Sequence, residues 1–170
     1  MSTDIDVERL LQQPCWVIDC LPSQVPMESE GQFFAIEHLL LNGPRGAELR
    51  HAFATILLKL NCYYDLLVFR GQHEKGKLNP KPQKLERWVV GDREHLCVAL
   101  PSEQALVVIP ISSTCMELYH PTPRLLETVC ALATASGLFV WRPDDQDGGF
   151  CPAKPDRSLR PDRPGVLREC

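Results

Sequence analysis

Two short apolar segments, residues 95–100 and 105–109, are separated only by Pro101, Ser102, Glu103 and Gln104, and this pair constrains the fold more than any other feature of the chain. Segments this short and this rich in Val, Leu and Ile suit strands, and a link of that length built on a type I turn brings the chain back antiparallel to itself. An isolated hairpin is marginal in water, so the pair demands further strands and a covering layer. Residues 85–90 read as a preceding strand of the same meander, and residues 115–119 as a further one. Residues 15–21 form a compact apolar run bounded by Pro14 and Pro22, residues 63–69 form another, and residues 138–141 return as a last strand.

The covering layer is written in helical period. Leu49, Phe53, Ile56, Leu57 and Leu60 share one face of a helix over residues 46–60, with Glu48, His51, Thr55 and Lys59 opposite. Thr122 followed by Pro123 places a capping hydroxyl before a proline at the first helical position, Leu125, Val129, Leu132 and Ala133 give that helix its face, and Gly137 stands where a C′ residue belongs. Residues 4–13 suit a short helix with Val7, Leu10 and Leu11 together, and residues 32–41 a largely buried one stopped by Asn42, Gly43 and Pro44. The polar segment between residues 70 and 84 reads as a long exposed loop. Strands run in series between helices rather than alternating with them. The expected class is therefore α+β, a mainly antiparallel sheet of about five to six strands with helices packed on one face, in the order α-β-α-α-β-β-β-(β)-α-β.

A chain of 170 residues suits one hydrophobic core. The expected division is a single domain over residues 1–142 and a Pro/Arg-rich tail over 143–170, where Pro143, Pro152, Pro155, Pro161 and Pro164 break every apolar period. No apolar run approaches the roughly 20 residues a spanning helix needs, and Met1–Glu8 lacks the basic and apolar regions of a secretory signal, so the expectation is a cytoplasmic protein with no membrane partner. The cysteines Cys15, Cys20, Cys62, Cys97, Cys115, Cys130, Cys151 and Cys170 lie mostly in apolar settings, which favours reduced thiols that pack as small hydrophobes. No Cys-x-x-Cys or spaced His pair is present, so neither a metal nor a cofactor is expected.

Three groups of residues could carry function. Asp19 lies in a run that otherwise reads as buried, Glu37 falls between Phe33 and Leu41 on its helix, and His38 borders the same face. Together these three could form an acid/base cluster, burial raising a carboxylate toward neutrality, against the plainer reading of a strand-end cap and a paired rim glutamate. Cysteines such as Cys20, Cys62, Cys97 and Cys115 could also meet a histidine, although no local signature marks such a pair. Arg45, in Asn42–Gly46 before a helix start, offers a weak anion site without any nucleotide-binding glycine motif.

The most pointed surface feature is the basic loop 70–87, where Arg70, Lys75, Lys77, Lys81, Lys84 and Arg87 face only Glu74 and Glu86. A basic loop of this kind could contact phosphates or an acidic partner protein, and long loops in compact domains are more often functional than short ones. The tail adds Lys154, Arg157, Arg160, Arg163 and Arg168 as a second cationic stretch. A net charge of −4 disfavours a whole-surface nucleic-acid binder, which would need net positive charge to displace phosphate counterions. The leading expectation is a non-catalytic module that binds a protein partner through the basic loop. The alternatives are an enzyme built on Asp19, Glu37 and His38, and phosphate or nucleic-acid contact through residues 70–87 flanked by an aromatic such as Tyr63 or Trp88.

Overall fold

A computed structural model describes residues 5–26, 30–71 and 75–143. In chain order its elements are α1 (Val7–Leu11), β1 (Cys15–Asp19), α2 (Glu30–Asn42), α3 (Pro44–Leu60), β2 (Leu67–Arg70), β3 (Lys77–Leu78), α4 (Pro82–Gly91), β4 (Leu96–Leu100), β5 (Ala105–Ile109), β6 (Cys115–Tyr119), α5 (Pro123–Ala135) and β7 (Phe139–Trp141). The strands make one antiparallel sheet in the order β3-β2-β4-β5-β6-β1-β7, which is the expected α+β class.

Strand alternation sorts the sheet residues between two faces. Val68, Val98, Val107 and Leu118 stand opposite one another across β2, β4, β5 and β6. They join Phe53, Ile56, Leu57 and Leu60 of α3, Leu85 and Val89 of α4, and Leu125, Val129 and Ala133 of α5 in the main core. Burying each such side chain contributes roughly 1.5–3 kcal/mol, so this layer dominates the fold's stabilisation. Ala99 and Leu106 alternate onto the other face, where Leu10 of α1 packs with them in a smaller cluster.

The helix boundaries follow local chemistry. Thr122 caps α5 by accepting from Leu125 N at 3.3 Å, and Gly137 takes up a left-handed φ of 74° beyond its end, both as the sequence implies. Asp6 caps α1, its Oδ1 accepting from Arg9 N at 3.0 Å. The α2–α3 joint is tight: a Cβ at Gly46 would sit 2.5 Å from the Leu41 carbonyl oxygen, so only glycine lets the two helices turn so closely.

Two expectations are corrected here. Residues 85–90 form not a strand but the body of α4. The run Leu85-Glu-Arg-Trp-Val-Val90 is rich in β-formers, yet Leu85 and Val89, one helical turn apart, are the buried pair, and Pro82 at the first turn starts the helix. The segment before it is correspondingly not a long loop. Asn79, in the left-handed region at φ 41°, accepts from Leu66 N and from Asn61 Nδ2, each at 2.9 Å, and donates to Asp65 Oδ1 at 2.7 Å. This network ties the exit of β3 to the end of α3 and leads the chain into α4.

The second correction concerns α2, which is not largely buried. Phe34, Ile36 and Leu39 are 56%, 47% and 72% exposed. The helix is apolar around most of its circumference, so the arc turned to α3 cannot bury the rest. The tail beyond Pro143 lies outside the described residues.

Candidate functional site

Arg70 is the last residue of β2 and pairs in register with Leu96 of β4. It is two residues beyond Val68 and so shares its helix-covered face, at the margin of the core beside α4. On α4, Leu85 and Val89 point inward, which leaves Lys84 and Trp88, four residues apart, as neighbours on one flank. The Arg70 guanidinium carbon lies 4.8 Å from the centre of the Trp88 ring, and Lys84 Nζ lies 4.9 Å from it. Each contact of this kind stabilises by about 0.5–1 kcal/mol and fixes where the cation sits.

The chain then turns back. Asp92 ends α4 in the left-handed conformation, and its carboxylate is held by Arg50 at 3.5 Å and by Ser112 N at 2.9 Å. Glu94 returns to Arg70, with Nη2 to Oε1 at 2.8 Å. Gly71, at φ 53°, makes this approach possible: its nitrogen donates to His95 O at 3.0 Å, and a Cβ there would lie 3.1 Å from Glu94 Oε2.

Between these elements lies a cleft of about 270 Å³ lined by Arg70, Arg87, Trp88, Arg93, Glu94 and Leu96. Its charges do not balance. Three guanidinium groups line it with one carboxylate, Lys84 adds a fourth cation nearby at the Trp88 ring, and Arg87 and Arg93 have no acidic partner among the described residues. The Arg70 Nε is buried and without a hydrogen-bond partner, a condition that costs about 1–3 kcal/mol for a lone donor. The carbonyl end of α4 contributes only about half a negative charge. The cleft is therefore strongly positive, and what it can do chemically is hold an anion.

Of the six basic residues singled out in the sequence, Arg70 and Lys84 meet the Trp88 ring and Arg87 lines the same cleft. Lys75, Lys77 and Lys81 are exposed along β3 and the entry to α4 and do not line the cleft. Arg93 and Glu94 were not singled out, because they enter only through the turn that closes α4. The signal for that turn was the helical spacing of Lys84, Leu85, Trp88 and Val89.

Asp19 and Glu37 both act electrostatically on Cys115, whose thiol burial pushes up to about 11. Asp19 is 8% exposed, its pKa is raised by burial, and its Oδ1 accepts from Leu21 N at 3.1 Å. His38 is exposed on α2. The Cys20 thiol is raised to about 12 by burial and the neighbouring Asp19, and Cys97 is raised mainly by burial. Thiols so perturbed stay protonated and are poor nucleophiles.

The described histidines, His38, His51, His95 and His120, are exposed, and His51 meets Glu86 at 3.5 Å. Cys20, Cys62, Cys97 and Cys115 are free thiols. Arg45 borders a second cleft of about 230 Å³ with Cys20, Leu40 and Glu48, where the Glu48 carboxylate offsets its charge. Among the described residues, no helix is long and apolar enough to cross a membrane, and no cluster of His, Cys, Asp and Glu could hold a metal ion.

Fold and site together define a small α+β domain with a cationic, tryptophan-centred cleft at one margin of its core. No protein-family model, curated protein or solved structure matches the chain.

Proposed function

We propose that this chain is a non-catalytic binding module that docks an acidic segment of a partner protein in the cleft around Trp88. The observation that carries the reading is the charge imbalance: Arg70, Arg87 and Arg93 line the cleft with one carboxylate, Glu94, and Lys84 lies against the Trp88 ring beside it. Like charges held this close repel unless an anion completes them, and concave cationic sites concentrate anionic partners and speed their arrival. Two features favour a protein partner over nucleic acid. Trp88 is half-buried with cations over its ring rather than open to stack a base, and the whole chain is net negative.

The test is binding of a fluorescein-labelled poly-glutamate peptide to the full chain and to an Arg87→Glu, Arg93→Glu double variant. Both side chains are exposed, so the variant should keep its fold by circular dichroism. The reading predicts affinity about 100-fold weaker in the variant, as expected when charge pairs at an interface become repulsions, and weaker binding by the native chain as salt rises. Equal affinity for both proteins would overturn it.

A further inference from the structure

We infer that the group read by this cleft is a phosphomonoester dianion, borne by a phosphorylated side chain of the partner. The inference rests on the proposed reading of the cleft as an acidic-partner site and names the anion it takes.

The argument begins from the donor set. Arg70, Arg87 and Arg93 bring three guanidinium groups to one cleft of about 270 Å³. Guanidinium presents a rigid fork of N–H donors that matches tetrahedral phosphate oxygens, and a single carboxylate has too few oxygens to engage three such forks at once. Charge leads to the same choice. Three guanidinium groups less the Glu94 carboxylate leave a surplus that one carboxylate would meet only in part, whereas a phosphomonoester carries about −1.5 to −2 at neutral pH.

Glu94 behaves as a built-in competitor. It holds Arg70 through one nitrogen at 2.8 Å, while the buried Nε of the same guanidinium remains unmatched. A three-oxygen anion that displaced Glu94 could take Nε and Nη2 together. The Arg70 and Lys84 contacts with Trp88 hold two of the cations near that position without an anion, so less order has to be created on binding.

Two Gly/Ser peptides, one with a central phosphoserine and one with glutamate in its place, are titrated into the full chain at pH 7.5 and pH 5.5 and followed by NMR shifts. The phosphopeptide is expected to bind about tenfold more tightly at pH 7.5. That advantage should shrink at pH 5.5, because the phosphomonoester gains a proton near pH 6 while arginine stays charged and glutamate, near 4.3, stays ionised. Inorganic phosphate should compete, and Glu94→Gln should strengthen phosphopeptide binding several-fold by freeing Arg70. Equal binding of the two peptides would refute the phosphate assignment and leave the acidic-partner reading standing. Failure of both peptides to bind would overturn both.

Discussion

Replacing Phe53 with alanine is expected to destabilise the domain by about 3–5 kcal/mol, the range for removing a buried aromatic ring from a well-packed core. Phe53 is 0% exposed and is the largest fully buried side chain among the described residues. It belongs to the α3 face that meets the sheet, in the cluster that also contains Val98 and Val107. The ring's removal takes away its transfer free energy and leaves a cavity that surrounding side chains refill only in part. Domains of this kind are typically stable by about 5–15 kcal/mol, so the loss is a large share of the total. Urea unfolding followed by circular dichroism reads it as a lower midpoint with little change in slope. A midpoint close to that of the native chain would mean that α3 does not anchor the core as described.

Leu85→Ala should cost about 2–5 kcal/mol and should also weaken binding at the cleft. Leu85 is 0% exposed, and with Val89 it supplies the buried contacts of α4. An isolated helix shorter than about 12–15 residues is marginal in water, so α4 depends on this seat rather than on its own hydrogen bonds. Lys84, Arg87 and Trp88 ride on the same helix. Loosening it should therefore spread the cations and reduce affinity for the phosphoserine peptide even at low temperature, where most molecules remain folded. Loss of stability with unchanged affinity would separate the cleft from α4 and contradict the geometry.

How much was legible in the sequence depends on how local the physics was. α3 and α5 are written in period and caps, and the β4–β5 pair in two apolar runs with a short link; these elements stand where the pattern puts them. α4 was hidden because Trp88, Val89 and Val90 favour strands by propensity, while burial of Leu85 and Val89 against α3 favours a helix, and tertiary packing decided. β3 is only Lys77–Leu78, and what organises its exit is the side chain of Asn79 reaching Asn61, Asp65 and Leu66. No local pattern announces contacts of that kind.

The exposure of α2 was equally illegible, since an apolar sequence does not say whether a second surface exists to cover it. At the site, the charge of Arg70, Lys84 and Arg87 was visible, but their convergence was not. It required α4 to be a helix, which placed Lys84 beside Trp88 and let the following turn deliver Arg93 and Glu94. Asp19 was visible as a carboxylate in an apolar strand, and the structure places it buried beside Cys20 and Cys115.

The most direct test of the cationic cleft follows the indole N–H signals of Trp16, Trp88 and Trp141 by two-dimensional NMR while the phosphoserine peptide is added to the full chain. Trp88 lies in the cleft, whereas Trp141 is buried on β7 with its Nε1 donating to Leu21 O at 3.1 Å, and Trp16 lies on β1. The account predicts that the Trp88 signal moves in a saturable way while the other two hold still. Binding that leaves Trp88 unmoved and shifts Trp16 or Trp141 would place the site elsewhere and contradict it.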